Sequence, residues 1–241
     1  MIKEKINIQV TKINLKTDQE NHKLPDFIIK RRMEIINFSR QNPEFLSSLE
    51  PLNINEAPLI VKLMAKAAMK AEVGPMAAVA GSISQLSLSY LLNKGSQYSI
   101  IDNGGDIALK TNEKVTIGLY SGTSSLSGSI GFRIKAKQTP IGICTSSGTV
   151  GHSISFGRSD SVTVFASQSS LADALATSIA NNAQGITNQD AVQNCLDRAD
   201  DFKEHFRGIM VVVGEHAGTI GKIPQLVKTN TQTVLSDLFE I

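Results

Sequence analysis

The feature that most constrains the fold is a series of short apolar segments between residues 96 and 167. Such segments are rich in Ile and Val, are bounded by Gly, Ser or Asn, and are typical of β-strands. Because turns rather than helices separate most of them, they predict a mainly antiparallel sheet instead of a βαβ alternation. The segments are residues 96–102, 106–110, 115–121, 129–136, 140–146 and 161–167.

Helical patterns lie on both sides of this block. Apolar residues recur near helical spacing after Pro25 and Asp26, and a later small-residue segment ends at Gly95, a typical residue after a helix C-terminus. Residues 6–17 alternate like a strand, and residues 207–216 and 218–226 predict a buried strand with its hairpin partner. The helices are predicted over residues 24–41, 55–73, 76–95, 171–183 and 188–202. This order predicts an α+β fold, and since no repeat or linker interrupts it, we expect one domain over residues 1–241.

The charge balance and the cysteine count exclude several classes of partner. Lys and Arg number 24 against 22 Asp and Glu, and aromatic residues are scarce, so we expect no nucleic acid. The most apolar window, residues 57–71, contains three lysines and lacks the roughly 18 uninterrupted apolar residues of a membrane helix. Two cysteines provide neither a disulfide framework nor zinc-finger spacing. We expect a cytoplasmic protein, whose small-residue helix and edge strands could support a homodimer.

The first candidate site segment is Asn103-Gly104-Gly105-Asp106, between two strand-like segments. Asn-Gly is a strong hairpin signal because both residues accept positive φ, so a plain turn is the favoured interpretation. The functional alternative is that the paired glycines let backbone N–H groups approach a ligand, with Asn103 and Asp106 as polar contacts.

The second segment follows a predicted strand and consists mostly of hydroxyl and glycine residues. Such a loop can present several N–H and O–H donors to an anion, and His152 could orient a phosphate or act as an acid or base. The alternative is a surface loop with an incidental histidine. A metal-free hydrolase using Ser147 and His152 is a more distant hypothesis, since nothing orients that histidine. The loop residues concerned are Thr145, Ser146, Ser147, Gly148 and His152.

The third segment contains Asp173 and Thr177, which are four residues apart on a predicted helix and share one face. A carboxylate and a hydroxyl so placed could bind Mg²⁺, which prefers oxygen ligands. Taken alone, the segment favours another interpretation, in which Ser170 and Asp173 form a variant of a capping box at the helix N-terminus.

The helix before these segments begins with nearly all small residues at positions 77–82, which suits close packing against a sheet or close approach of a ligand. Several standard sites are missing from the sequence. There is no G-x-G-x-x-G fingerprint, no P-loop and no G-x-S-x-G nucleophile elbow.

Together, the four segments resemble the motifs of the ApbE-like superfamily, and the chain is most similar to its compact branch. The resemblance is clearest over residues 42–185 and rests on GPMAAVAGSI, SIIDNGGDIAL, GICTSSGTVGHSISFG and SVTVFASQSSLADALATSIAN, in this order. It implies a T-fold-like α+β domain. Characterised members are Mg²⁺-dependent flavin transferases that cleave FAD and attach FMN to a Thr of an acceptor protein, and some instead hydrolyse FAD to FMN and AMP.

The resemblance also implies roles for individual residues. Asp173 and Thr177 match the metal-binding D-x-x-x-T motif, and the alanine whose carbonyl binds the metal falls at or near Ala80. The implied flavin-binding residues are Asn103, Gly104, Gly105 and Asp106, and the T-S-G loop corresponds to Thr145, Ser146, Ser147 and Gly148. Asp173 and His152 are the implied catalytic residues.

Two differences from the transferases support a second hypothesis. This chain has Ala80-Gly81-Ser82 where transferases carry Ala-Lys-Gly, and SISFGRSD where an Ile-Asp-Pro segment follows their histidine. Because the missing lysine belongs to the phosphate side of the site, the alternative function is a non-catalytic module that binds or carries a cofactor. It predicts ligand binding without product.

Overall fold

The computed structural model describes residues 1–147 and 157–230. Within these residues the helices are α1 (Leu24–Gln41), α2 (Glu44–Ser47), α3 (Leu59–Ala71), α4 (Val79–Asn93), α5 (Ser169–Ala180) and α6 (Asn188–Asp200). The strands are β1 (Ile2–Ile8), β2 (Thr11–Thr17), β3 (Ser99–Asn103), β4 (Asp106–Lys110), β5 (Val115–Gly118), β6 (Ile130–Ile134), β7 (Ile141–Ser146), β8 (Ser161–Ala166), β9 (Gly208–Val213), β10 (His216–Gly221) and β11 (Gln225–Lys228).

Eight strands form one large sheet in the order β1-β2-β3-β4-β7-β8-β9-β10, and every neighbouring pair is antiparallel. The remaining three strands form a smaller antiparallel sheet in the order β11-β6-β5. The mainly antiparallel α+β architecture predicted from the sequence is therefore confirmed.

The large sheet is covered on both faces. Helices pack on one face, with α5 against β7 and β8 and α4 against β3 and β4. The small sheet covers part of the other face, where Phe132 of β6 meets Phe165 of β8 edge to face with ring centroids 4.8 Å apart. Because β8 and β9 lie between the two layers, every residue of both strands is buried, which explains their nearly continuous apolar sequences.

Several element boundaries differ from the predictions for local reasons. The second predicted helix starts only after Pro58, at Leu59, and the third is preceded by a 3₁₀ turn over Pro75–Ala78. The segment predicted as one hairpin partner, residues 218–226, is divided between β10 and β11 because Gly221 has φ of 73° and ends the first strand. No helix in the described part of the chain has the length and apolar character that a membrane span requires.

Candidate functional site

The Asn103–Asp106 segment forms the turn of the β3–β4 hairpin. Asn103 pairs with Asp106, and the two residues between them, Gly104 and Gly105, have φ of 70° and 99°. The side chain of Asp102 accepts a hydrogen bond from the Gly105 N–H at 2.8 Å, which holds the turn. The turn interpretation is confirmed, and the question becomes what its flanking side chains face.

Two side chains at this hairpin face the helical layer. One apolar core lies on each face of the large sheet, and side chains alternate between these faces along each strand. This alternation places the side chains of Asn103 and Asp106 on the face that the helices cover. The Asn103 amide donates to the carbonyl oxygen of Ala80 at 3.3 Å. Asp106 lies beside Cys144 of β7 in the sheet register, and its own carbonyl accepts from the hydroxyl of Ser84 at 2.7 Å. The hairpin therefore lies against the N-terminal part of α4.

Asp173 does not cap its helix. Helix α5 begins at Ser169, so Asp173 is its fifth residue, and the preceding Gln168 makes no side-chain cap. The Asp173 carboxylate instead accepts the backbone N–H of Gly81 at 2.7 Å, and the hydroxyl of Ser170 donates to Gln85 at 2.8 Å. The capping-box interpretation is wrong, because both of its members bond to α4.

Two glycines let the start of α5 fit between α4 and β7. A Cβ on Gly81 would lie 2.3 Å from the carbonyl oxygen of Ser169, and a Cβ on Gly142 would lie 2.4 Å from the Ser169 Cα. The Ser169 hydroxyl donates to the Gly81 carbonyl at 2.8 Å, and the Cys144 thiol donates to the Ser169 carbonyl at 3.2 Å. This wedge, formed by Ser169 between the two glycines, fixes the position of Asp173 relative to Ala80.

The two carboxylates of the site are in an unfavourable environment for charge. Burial raises the pKa of Asp173 to about 7, although backbone N–H groups of Gly81 and Ala80 act in the opposite direction. Burial also raises the pKa of Asp106 well above its usual range, and the negative charge of Asp173 raises it further. Burial, with the same two carboxylates, raises the pKa of the Cys144 thiol. Strongly perturbed pKa values of this kind are typical of functional sites.

The groups around Asp173 that could coordinate a cation do so through oxygen atoms. One carboxylate oxygen accepts the Gly81 N–H, which directly follows the Ala80 carbonyl in the chain. The partly exposed Thr177 lies four residues along α5, on the same helix face as Asp173. Among the described residues no group of three or more His, Cys, Asp or Glu side chains could hold a metal. A cation here would therefore need backbone and hydroxyl oxygens as well as carboxylates, a donor set that suits Mg²⁺.

The hydroxyl loop is only partly within the described residues. Thr145 and Ser146 end β7, and Thr145 shares a 3.0 Å hydrogen bond with Thr163 on the sheet face away from Asp173. A Cβ added to Gly105 would lie 4.0 Å from the carbonyl oxygen of Thr145. The loop therefore starts beside the turn of the β3–β4 hairpin. Ser147 follows, whereas Gly148 and His152 lie outside the described residues.

Two surface cavities lie apart from this site. One of about 670 Å³ includes Asn182 and Arg198 in its lining, and another of about 480 Å³ includes Phe38 and Phe45. None of the candidate site residues that the structure describes lines either cavity. The case for the site at Asp173 accordingly rests on its hydrogen bonds and charges rather than on cavity size.

Some residues of the site were not identified from the sequence. These are Cys144, Ser169 and the N–H of Gly81, each of which connects elements that are distant in the chain. Gly142 offered a signal, since a glycine in a strand interior often marks close backbone approach. Of the predicted residues, the structure brings together Ala80, Asn103, Asp106 and Asp173. Thr177 lies one helical turn beyond Asp173 on α5.

Comparison with known proteins shows what the chain is similar to. A family model described as AbpE bacteria matches residues 3–216. A UPF0280 protein of Methanothermobacter thermautotrophicus is 63% identical over 237 residues, which cover 98% of this chain and 92% of that protein. These matches confirm the resemblance inferred from the four sequence segments.

Solved structures share the fold at low sequence identity. The apo flavinyl transferase ApbE of Pseudomonas stutzeri matches with a TM-score of 0.60 and 11% identity, covering 100% of this chain and 97% of that one. The flavin transferase ApbE of Vibrio cholerae matches with a TM-score of 0.54 and 14% identity, covering 96% and 98%. At this level of identity the similarity establishes the ApbE-type fold.

Proposed function

This chain belongs to the family described as AbpE bacteria, and from that premise we propose that it binds a flavin nucleotide together with Mg²⁺ and acts on the pyrophosphate of FAD. The products are FMN and AMP when water attacks the FMN phosphorus. When the hydroxyl of a Thr in an acceptor protein attacks instead, the products are the FMN-bearing protein and AMP. Similar folds whose names describe flavin transferases support the choice of ligand.

The observation that carries the proposal is the position of Asp173. Its carboxylate is held by the Gly81 N–H at 2.7 Å, directly beside Ala80, whose carbonyl also contacts the Asn103 amide. Ala80, Asp173 and Thr177 would hold the Mg²⁺, because together they offer carbonyl, carboxylate and hydroxyl oxygens. When bound, Mg²⁺ supplies positive charge that offsets the charge of the pyrophosphate.

The hairpin turn and the strand end beside it would bind the nucleotide. Gly104 is exposed and a Cβ there would meet nothing within 4 Å, so the turn backbone is open to a ligand. The residues assigned to this role are Asn103, Gly104, Gly105, Thr145, Ser146, Ser147 and Gly148. His152 is assigned the orientation of a phosphate or a proton transfer.

The test is incubation of the purified protein with FAD and Mg²⁺, followed by chromatographic detection of FMN and AMP. We expect turnover that EDTA abolishes. Loss of a residue that merely hydrogen-bonds to a metal ligand lowers activity by ~10–100-fold. Because Asp173 would bind the metal itself, we expect Asp173→Asn to lower kcat/KM by more than this. Asp200→Asn is the matched control, since Asp200 is exposed and its carboxylate lies 3.9 Å from the Lys203 ammonium, on the exposed surface of the protein.

Two results would remove the proposal. One is the absence of both turnover and any thermal shift on addition of FAD or FMN with Mg²⁺. The other is equal activity of Asp173→Asn and wild type, which would place the chemistry elsewhere in the molecule.

A non-catalytic cofactor-binding or carrier function is the second candidate, and Gly81 favours it. Transferases carry a lysine at this position, whereas here a Cβ would meet the Ser169 carbonyl at 2.3 Å, so no side chain reaches toward a phosphate. This function predicts stoichiometric, tight flavin binding with no FMN or AMP formed. Mass spectrometry of the small molecule that copurifies with the protein distinguishes the two candidates.

A further inference from the structure

Asp106 has a place in the site that differs from the flavin-contact role expected for its motif. Its strand β4 pairs with β7 so that Asp106 lies opposite Cys144. Paired residues of antiparallel strands point to the same face, and Cys144 belongs to the core on the helix side. The Asp106 carboxyl group consequently points toward α4 and α5, away from the small sheet.

A short series of contacts connects Asp106 with Asp173. The Asp106 backbone is bonded to Ser84 of α4, and the Cys144 thiol beside it donates to the carbonyl of Ser169, at the start of the helix that carries Asp173. The thiol also interacts with the Asp106 carboxyl group itself, and the two carboxylates are close enough for the charge of one to act on the other.

This pair of carboxylates lacks a basic counterpart. In the parts of the chain that the structure describes, no Lys or Arg forms an ion pair with either of them; Asp173 accepts a backbone N–H, and Asp106 lies next to a thiol. Two carboxylates that share a desolvated space repel each other unless protons or a cation compensate their charge. The two neighbouring carboxylates thus carry negative charge that a bound cation would compensate.

From this juxtaposition we propose that Asp106 contributes the second carboxylate of the divalent-cation site. The proposal rests on the function proposed above, and it adds a metal contact to the three oxygens of Ala80, Asp173 and Thr177. Asp106 thereby belongs to the metal side of the site rather than the flavin side.

The test measures cation binding directly and needs no flavin. Mn²⁺, which also prefers oxygen ligands, is titrated into the protein, and the free ion is followed by electron paramagnetic resonance. We expect Asp106→Asn and Asp173→Asn each to weaken Mn²⁺ binding by about tenfold or more, and Asp200→Asn to leave it unchanged. Asp106→Ser replaces Asp106→Asn if circular dichroism shows that the asparagine variant is unfolded.

The outcomes separate this proposal from the proposed function. Wild-type Mn²⁺ affinity in folded Asp106→Asn, with affinity lost in Asp173→Asn, overturns the role of Asp106 and leaves the metal site intact. Loss of Mn²⁺ binding in both variants, combined with no flavin turnover or binding by the wild type, supports the cation site while overturning the flavin function.

Discussion

At the residue scale, the site is defined by two aspartates that local sequence would place in a turn and at a helix cap. Asp173 bonds to Gly81, 92 positions earlier in the chain, and Asp106 faces it from the hairpin. Because both carboxyl groups are desolvated, the ionised site is less stable without a cation than with one. Stability and cation binding are therefore linked through these two side chains.

The raised pKa of Asp173 has a consequence for stability against pH. Its carboxyl group titrates at about 7 in the folded protein and near the ordinary value of about 4 in the unfolded chain. Between these values the folded state retains a proton that the unfolded state has lost, so the free energy of unfolding decreases as the pH rises through this window. We expect the Tm in EDTA to fall from pH 5 to pH 8, and to fall less in Asp173→Asn.

The control is the same measurement of Tm against pH in Asp200→Asn. Because the Asp200 carboxyl group is exposed, its removal should leave the change of Tm with pH as it is in the wild type. Identical slopes in wild type and Asp173→Asn would contradict the assignment of the pH dependence to this residue.

At the element scale, the wedge joins α4, α5 and β7 in one unit. Ser169 lies between Gly81 and Gly142 and bonds to α4 through its hydroxyl and to Cys144 through its carbonyl. Because the backbones themselves are in contact, no rotamer change could accommodate an added side chain. The relative position of the two helices, and with it the arrangement of the site, depends on these glycines.

Substitution of Gly81 tests this packing. Gly81→Ala gains about 1 kcal/mol of helix propensity, but the new Cβ would lie 2.3 Å from a backbone oxygen. We expect the steric cost to exceed the gain and the net free energy of unfolding to fall by about 1–3 kcal/mol in urea denaturation. Ser89→Ala, an exposed position of the same helix, should change it by less than about 0.5 kcal/mol. A Gly81→Ala variant as stable as wild type would disprove the tight contact.

The elements that could be predicted from sequence are those determined locally. Helix α1 follows its apolar spacing over Leu24–Gln41, and β4 is bounded by turn residues at both ends. The orientation of Asp106 could not be predicted, since it depends on the pairing of β4 with β7 across an intervening hairpin of the small sheet. The cap interpretation of Asp173 failed for a similar reason: a carboxylate near a helix start has a local donor in most sequences, whereas here α4 supplies it.

At the scale of the whole molecule, the large sheet separates two apolar cores. The larger core lies under the helices and carries the candidate site at its edge, and the smaller one lies between the large and small sheets. Phe132, Phe165 and Met210 belong to the smaller core, which shares only the sheet backbone with the helical side. We expect the small sheet to open more independently than the helices do.

A core substitution on the far side of the sheet tests this independence. Phe132 is 1% exposed and contacts the Phe165 ring, so Phe132→Ala should cost about 3–5 kcal/mol. In hydrogen exchange, amides of β5, β6 and β11 should lose protection far more than those of α4 and α5. Phe132→Leu should lose much less stability, because it retains most of the buried volume. Uniform loss of protection across both cores would show that they unfold as one unit.

The tight contact at Gly81 also bears on how this chain and the lysine-bearing transferases can interconvert during evolution. A lysine at Gly81 would place its Cβ against the Ser169 carbonyl, so a single substitution would be selected against before its ammonium group could serve any substrate. Reaching that sequence first requires α5 to move away from α4, and because Ser169 also contacts Gly142, such a shift changes the packing against β7 as well. The two forms of the site are therefore separated by coupled substitutions, and we expect chains with both glycines to form a lineage that keeps its own chemistry.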